Sequence, residues 1–335
     1  MRKLIRLSLA KDPEIEVVAE AGNARAARDA VNAFHPDVMT LDVEMPEMDG
    51  LEFLRRLMRA RPMPVVMVSS LTERGSAAAV RALSLGAVEC IAKPKDRVGL
   101  FDGLADTLKM AARAQVRRMR GSAPPRKAVG ADFQWNGKIL LIGASTGGVE
   151  ALETVLSQFP ANCPPTLITQ HMPAQFLVNF ASRLNKNCAP EIKLAANDEE
   201  LQQGCVRIAP GGETHLHLSA DMPARTLLRP GPKQTGHRPS VDVMFSSALA
   251  HAPNVVAALL TGMGADGAEG MRQLREKGAF CIAQDKESSV VYGMPRVACE
   301  KGGVDISLGL SEIAENMLRR ASVMPAGGRV KQEVG

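Results

Sequence analysis

Gly143-Ala-Ser145-Thr-Gly147-Gly148 follows the apolar run Lys138-Ile-Leu-Leu-Ile142 and precedes a stretch with helical spacing. A Gly-x-Ser-x-Gly segment between a strand and a helix allows a tight turn that leaves the serine hydroxyl exposed at the carboxyl edge of a sheet. The helix start behind it offers free N–H groups and the positive end of a dipole to a developing oxyanion. The chemistry such a turn supports is nucleophilic acyl transfer. The same residues also suit a small-residue turn whose serine only caps the helix. A phosphate-cradling loop would need a lysine that is absent here.

A serine nucleophile needs a base, and the base needs a carboxylate to orient it. Six histidines are present. His171 ends the next apolar run, in Thr169-Gln-His171-Met-Pro173, and so belongs at the same sheet edge as Ser145. His237, in the loop His237-Arg-Pro-Ser-Val-Asp242, is the second choice. His215 and His217 alternate as on a strand face, His251 has the position of a structural or capping residue, and His35 lies in a different domain. Asp266, in Leu260-Thr-Gly-Met-Gly-Ala-Asp-Gly267, is the carboxylate, again just past an apolar run. Three reactive types at three strand ends form a more specific pattern than any one motif.

A rival chemistry runs through the same loop. Gly262, Gly264 and Gly267 form Gly-x-Gly-x-x-Gly between a strand and a helix, and Asp285 lies 18 residues past Gly267. That spacing approaches a dinucleotide-binding fingerprint and makes an NAD-dependent oxidoreductase the alternative. Against it, the charge of Asp266 inside the glycine loop would oppose a pyrophosphate at the helix start. A non-catalytic signalling module is a third reading.

These residues must be carried by alternating elements. Strands are predicted at Glu14–Ala21, Asp37–Val43, Pro64–Ser70 and Ala87–Ala92, with helices at Ala24–Phe34, Leu51–Arg61, Ser76–Leu85 and from Val98 to about Arg120. Further strands are predicted at 138–142, 166–170, 255–261 and 279–283, and helices at 148–158, 174–184 and 267–277. Such alternation makes an α/β protein with two doubly wound parallel-sheet domains, helices on both faces and functional loops at the strands' carboxyl ends. Apolar pieces between 206 and 228, broken by Pro-Gly-Gly and Asp-Met-Pro, predict an added antiparallel hairpin. The domain limits are 1–120 and 137–321, joined by a Gly-, Pro- and Ser-containing linker over 121–136, with a disordered tail over 322–335.

The 335 residues are too many for one ordinary domain. Hydrophobic content of 45% and charged content of 23% are ordinary for a soluble globular protein. Aromatics are only 3%, so Ala, Val, Leu, Ile and Met must fill the cores. The net charge of +5 is mild, and the basic run from Arg113 to Lys127 has no interleaved aromatics for stacking on bases. The reading is therefore no nucleic-acid partner. Six cysteines without metal spacing indicate a reduced interior. No long apolar run is present, which implies a cytoplasmic protein without membrane insertion.

Seven segments taken together resemble the chemotaxis-type protein-glutamate methylesterases, which join a response-regulator receiver to a C-terminal esterase. They are Leu41-Asp-Val-Glu-Met-Pro-Glu-Met-Asp-Gly50, Pro62-Met-Pro-Val-Val-Met-Val-Ser-Ser70, Gly143 to Gly148, Gln170-His-Met-Pro173, Ile208-Ala-Pro-Gly-Gly212, His237 to Asp242 and Leu260 to Gly267. The resemblance runs from residue 1 to about 320. It implies Ser145 as nucleophile, His171 as general base and then acid, and Asp266 as the orienting carboxylate. The backbone around Met263 would help form the oxyanion hole, and Thr146, Gly211, Gly212, His237 and Arg238 would surround the substrate cleft. The implied substrate is a glutamate γ-methyl ester on the cytoplasmic helices of a chemoreceptor, with receptor glutamine as a second one. No catalytic cofactor is required.

For the receiver, the resemblance implies Asp42 as phosphoryl acceptor from a sensor histidine kinase, with Lys93 and Ser69 beside it. Receivers of this kind open with an apolar strand ending in an acidic pair that holds Mg²⁺ next to the aspartate. Here Met1-Arg-Lys-Leu-Ile-Arg-Leu resembles the middle of the following helix. The expectation is an incomplete Mg²⁺ site and weak phosphorylation, with a start site assigned too far downstream as the simple explanation. The receiver is further expected to cover the esterase cleft.

Overall fold

The computed structural model describes residues 1–45, 47–70, 72–94, 101, 103–116 and 133–323. The first sheet carries α1 (Arg2–Leu9), α2 (Ala24–Phe34), β1 (Met39–Asp42), α3 (Gly50–Ala60), β2 (Val65–Ser69), α4 (Glu73–Ser84), β3 (Glu89–Ala92) and α5 (Leu104–Ala112). Its three strands lie parallel in the order β1-β2-β3. The central strand β2 is Val-Val-Met-Val-Ser and is buried throughout, as a parallel strand covered on both faces must be.

The strand expected over Glu14–Ala21 does not form: the segment is not paired into any sheet. Residues 14–22 instead face β1 across a cavity of about 660 Å³ that Leu41, Asp42 and Val68 also line. Strand geometry needs a hydrogen-bonded neighbour, and β1 pairs on one side only, with β2. Alternation in the sequence could not reveal that the neighbour is missing.

The second unit runs β4 (Ile139–Ala144), α6 (Gly148–Leu156), β5 (Thr166–Gln170), α7 (Ala174–Asn187), β6 (Glu191–Leu194), β7 (Glu199–Glu200), β8 (Cys205–Ile208), β9 (Thr214–Leu218) and β10 (Arg225–Pro230). It continues through α8 (Val241–Ser247), a 3₁₀ turn at Leu249–Asn254, β11 (Val255–Leu259), α9 (Ala268–Glu276), β12 (Phe280–Gln284), α10 (Met294–Glu300), β13 (Ile306–Leu308) and α11 (Leu310–Arg320). Seven strands form one parallel sheet in the order β13-β12-β11-β4-β5-β8-β6. The expected hairpin is β9–β10, antiparallel, with β7 added to its edge. The fold is thus α/β with parallel sheets in both units.

Chain order reverses at β4. The sheet grows from it toward β5 on one side and toward β11 on the other. In open parallel sheets, ligands bind in the crevice beyond the strands' carboxyl ends at such a switch point. The strands β4, β5 and β11 are buried at every position.

The expected linker and tail fall largely outside the described residues, but the helix predicted to run to about Arg120 already ends at Ala112, with Arg113 as its cap. The inner ends of linker and tail, 133–136 and 322–323, lie within the described residues. Trp135 bridges to Ser322, Val323 N–H donates to the Gln134 carbonyl (2.8 Å), and Phe133 is buried. The two units also share an apolar seam, in which α4 packs against α6 and α7. Across it Ser84 donates to Glu153 (2.9 Å) and Gln115 N–H donates to the Val290 carbonyl (2.9 Å).

Candidate active site at the switch point

Ser145 follows β4, His171 follows β5 and Asp266 lies beyond β11, so adjoining parallel strands bring all three to one edge. Backbone bonds tie the three loops together. Ser145 N–H donates to the Thr261 carbonyl (3.0 Å), His171 N–H to the Ala144 carbonyl (3.0 Å), and the Thr261 hydroxyl to the Thr146 carbonyl (3.0 Å). The side-chain amide of Gln170 adds bonds to the carbonyls of Ser145 (2.9 Å) and His171 (3.1 Å).

His171 Nε2 lies 2.7 Å from Asp266 Oδ2. An ionised carboxylate only accepts, so Nε2 carries the proton and Nδ1 keeps a lone pair. Nδ1 is buried and has no hydrogen-bond partner. Asp266 is 1% exposed and also accepts from the Ser240 hydroxyl (2.7 Å), Val241 N–H (2.7 Å) and Asp242 N–H (3.0 Å). Burial opposes its ionisation, but the His171 bond and these donors prevail and hold the carboxyl well below the usual range. Beside it burial, with the Asp266 charge, pushes Asp242 up to about 6.

Ser145 is 8% exposed and lines, with His171, Thr146, Gln170 and Thr261, a cavity of about 790 Å³. Residues of the receiver line it too, including Leu83, Glu89 and Val116. Glu89 accepts from the Thr146 hydroxyl (2.9 Å), one residue from the nucleophile candidate, and burial pushes its carboxyl up. Ser145 makes no side-chain bond to His171 here; the two share the cavity wall.

Two of the loop's three glycines are explained by packing. A β carbon on Gly262 would stand 2.7 Å from Ser145 Cβ and 2.3 Å from Met294 Sδ, and one on Gly267 (φ +87°) would stand 2.6 Å from Val241 Cγ1. Asp285 caps the following turn through Ser288 N–H (2.8 Å) and the Ser288 hydroxyl (2.6 Å). Gly262 and Gly267 thus answer to packing and Asp285 to capping, whereas a β carbon on Gly264 would meet nothing within 4 Å.

The remaining candidates scatter. Thr146 lines the cavity, whereas Met263 is 49% exposed outside its lining. Gly211 packs near Leu177 and Pro239. Arg238 does not reach the triad. Its guanidinium is held by the Gly212 carbonyl (2.6 Å), the Gly231 carbonyl (2.8 Å) and Glu213 (3.0 Å), an anchoring role that charge alone could not reveal. His215 and His251 are engaged by Ser240 N–H (3.1 Å) and the Ser219 carbonyl (2.7 Å). Ser240 escaped the sequence reading as an Asp266 partner. The signal was there, because Pro239-Ser240 before an apolar stretch is a helix-cap pattern, and Ser240 does cap α8.

In the receiver, Asp42, Ser69 and Lys93 meet at the carboxyl ends of β1, β2 and β3. Lys93 Nζ bonds Asp42 (2.8 Å) and Glu44 (3.2 Å), Lys93 N–H donates to the Ser69 carbonyl (2.7 Å), and Ser69 is 1% exposed. Burial works against the Lys93 charge, but the two carboxylates outweigh it and raise its pKa. Magnesium needs about six oxygen ligands. Among the described residues no group of three metal-ligating side chains gathers anywhere, and Asp42 and Glu44 are both turned to Lys93. These residues by themselves do not make a magnesium site. No described helix is long and apolar enough to cross a membrane.

Fold and strand ends thus define a class: an α/β chain whose receiver-like unit faces a doubly wound unit with hydroxyl, imidazole and carboxylate converging at its switch point. The comparisons give the family. A model described as CheB methylesterase matches residues 140–317, and one described as a response regulator receiver domain matches 1–104. A protein of Agrobacterium fabrum named protein-glutamate methylesterase/protein-glutamine glutaminase is 49% identical over 335 residues, covering 98% of this chain and 95% of that one. A Caulobacter vibrioides protein of the same name, numbered 1, is 49% identical over 331 residues, covering 96% and 95%. The crystal structure of the Thermotoga maritima CheB methylesterase catalytic domain is similar at a TM-score of 0.53 and 36% identity, covering 55% of this chain and 98% of that one. The chain belongs to the CheB methylesterase family.

Proposed function

We propose that this chain hydrolyses glutamate γ-methyl esters on chemoreceptor helices to glutamate and methanol, and deamidates receptor glutamines, with Ser145 as nucleophile. The observation that carries the reading is the buried His171–Asp266 bond of 2.7 Å, which leaves His171 Nδ1 unpartnered at the wall it shares with Ser145. Nδ1 takes the Ser145 proton as Oγ attacks the acyl carbon, then delivers it to the departing methanol or ammonia. The imidazolium formed on the way is stabilised by Asp266, whose four donors keep it ionised. The positive end of the α6 dipole and the backbone at Met263 stabilise the oxyanion. Water then repeats the sequence on the acyl-serine. An ester and a primary amide fit one site because each presents an acyl carbon with a small leaving group.

Asp42 is the phosphoryl acceptor of this reading, a sensor kinase its donor, and units 1–120 and 137–321 the regulatory and catalytic domains. The cover over the catalytic wall supports regulation by the receiver: Leu83, Glu89 and Val116 line the same cavity as Ser145. Methanol release from methylated receptor membranes tests the reading. Wild type is expected to release methanol and Ser145→Ala to release none above background. Equal release by both removes Ser145 from the mechanism.

A further inference from the structure

His237 enters the sequence argument only as a second-choice base and a residue of the cleft, yet its geometry is the most specific of any side chain outside the triad. Its ring lies flat on that of His171, with centroids 3.7 Å apart and planes 7° from parallel. The ring is presented by a short turn of fixed shape. Gln234 and His237 exchange both backbone bonds, His237 N–H to the Gln234 carbonyl (2.9 Å) and Gln234 N–H to the His237 carbonyl (3.0 Å). Between them Thr235 (φ +50°) and Gly236 (φ +85°) both have positive φ, as a two-residue type I′ hairpin requires. Arg238 then anchors the next residue to two carbonyls, and Ser240, Val241 and Asp242 grip Asp266. One segment of six residues therefore holds the carboxylate end of the His171 bond and covers the ring between its ends.

We propose that His237 is a positioning residue for the esterase reaction: as a flat neutral ring it holds the plane of the His171 imidazole while proton transfer proceeds, and it handles no proton itself. The inference rests on the Ser-His-Asp reading above. An imidazole bonded at Nε2 alone can still swing about that bond, and a swing moves Nδ1 away from the serine. A parallel ring at contact distance removes that freedom on one face and excludes water from it. His237 must then stay uncharged, since a second imidazolium would repel the one forming on His171. The groups facing it are His171, Asp266 and Lys233; burial and the His171 charge push it down to about 4, against a smaller opposite pull from Asp266. Its nitrogens have no hydrogen bond to Ser145 or Asp266, whose partners are accounted for otherwise.

The test uses the full chain on methylated receptor membranes, with kcat and KM measured for wild type, His237→Ala, His237→Leu, His237→Phe and Ser145→Ala. Misplacing a catalytic group by about 1 Å can lower the rate up to about 10²-fold. His237→Ala and His237→Leu are therefore expected to lower kcat by roughly 10- to 100-fold, with KM within about twofold of wild type. His237→Phe restores the flat ring without a nitrogen and is expected to return kcat to within about threefold of wild type. Folding of each variant is checked by its melting transition. A folded His237→Phe as slow as His237→Ala overturns the proposal in favour of proton handling. A His237→Ala that changes KM alone overturns it in favour of a substrate contact. If His237→Ala does not fold, the folded Phe variant decides alone. Failure of the underlying reading looks different: Ser145→Ala would then match wild type whatever the His237 variants do.

Discussion

Two aspartates stand at strand ends in this chain, and their surroundings differ in the way their tasks require. Asp266 is 1% exposed and its oxygens receive four donors: one imidazole, one hydroxyl and two backbone N–H groups. The Asp42 side chain is 25% exposed and is held by Lys93 and by the Glu44 N–H (2.9 Å). A buried carboxylate with every lone-pair direction met is a fixed charge. It can orient an imidazole and stabilise its cation, and nothing can reach it. A carboxylate open to solvent on one side and neutralised by one lysine can be approached by an electrophile. On the proposed reading the same side chain serves as scaffold in one sheet and as reactive group in the other, and solvation separates the two.

The contrast breaks most visibly if the fixed charge is removed. Asp266→Asn keeps the size but turns an amide toward donors and loses the anion that selects the His171 tautomer. Esterase kcat is expected to fall by about 10⁴-fold with KM little changed, measured as initial methanol release. A loss below tenfold would mean that Asp266 does not orient the base. Next comes the boundary between the two units. Removing Glu89 in Glu89→Ala frees the Thr146 hydroxyl, and deleting residues 1–120 removes the whole cover. Both are expected to raise activity, on the order of threefold to tenfold, in line with release of a contact worth about 1 kcal/mol. An unchanged or lower rate for a fragment that melts cooperatively contradicts the covering role.

The exposed pair sets the scale for a smaller effect. Lys93→Met breaks the bonds to Asp42 and Glu44, and denaturant unfolding is expected to show a loss of about 1 kcal/mol. A loss above about 3 kcal/mol would place Asp42 in the buried class with Asp266. The smallest effect concerns Asp242. Its carboxyl sits near 6 in the fold against 3.8 for the ordinary value, so ionising it disfavours the folded state above pH 6. Asp242→Asn is expected to raise the melting temperature by a few degrees at pH 7 to 8. The gain should fade between pH 6 and 4 and vanish below pH 4, where the native side chain is protonated in both states. Asp266 has the opposite sign. Its pKa is lowered in the fold, so its contribution is complete above pH 4 and is lost only as the pH falls below the ordinary carboxylate range.

How much of this was legible beforehand depends on range. The switch-point strands read as short apolar runs, and Ser145, His171 and Asp266 followed because each stands just beyond one. Helices such as Ala24–Phe34 were bounded correctly because Asn23 caps the start and His35 turns left-handed at the end. What failed was whatever depends on a partner elsewhere in space. The alternating residues 14–21 have strand character but no strand to pair with. Arg238, expected around the substrate cleft, is bound by the carbonyls of Gly212 and Gly231, partners that its local sequence does not name. Glu89 gave no sign beyond its place in a receiver strand, since its Thr146 partner is 57 residues away. The His171–His237 stack has no local signature, and the helix-cap pattern at Ser240 does not name Asp266 as its partner.

The central claim is that Ser145 and His171 act as one unit. The most direct test is the pair of single substitutions and their combination, Ser145→Ala, His171→Ala and both together, assayed by methanol release from methylated receptor membranes. Groups sharing one proton-transfer step fail together, so the double variant is expected to be no slower than the slower single one. Losses that multiply in the double variant would show two independent contributions and contradict the account.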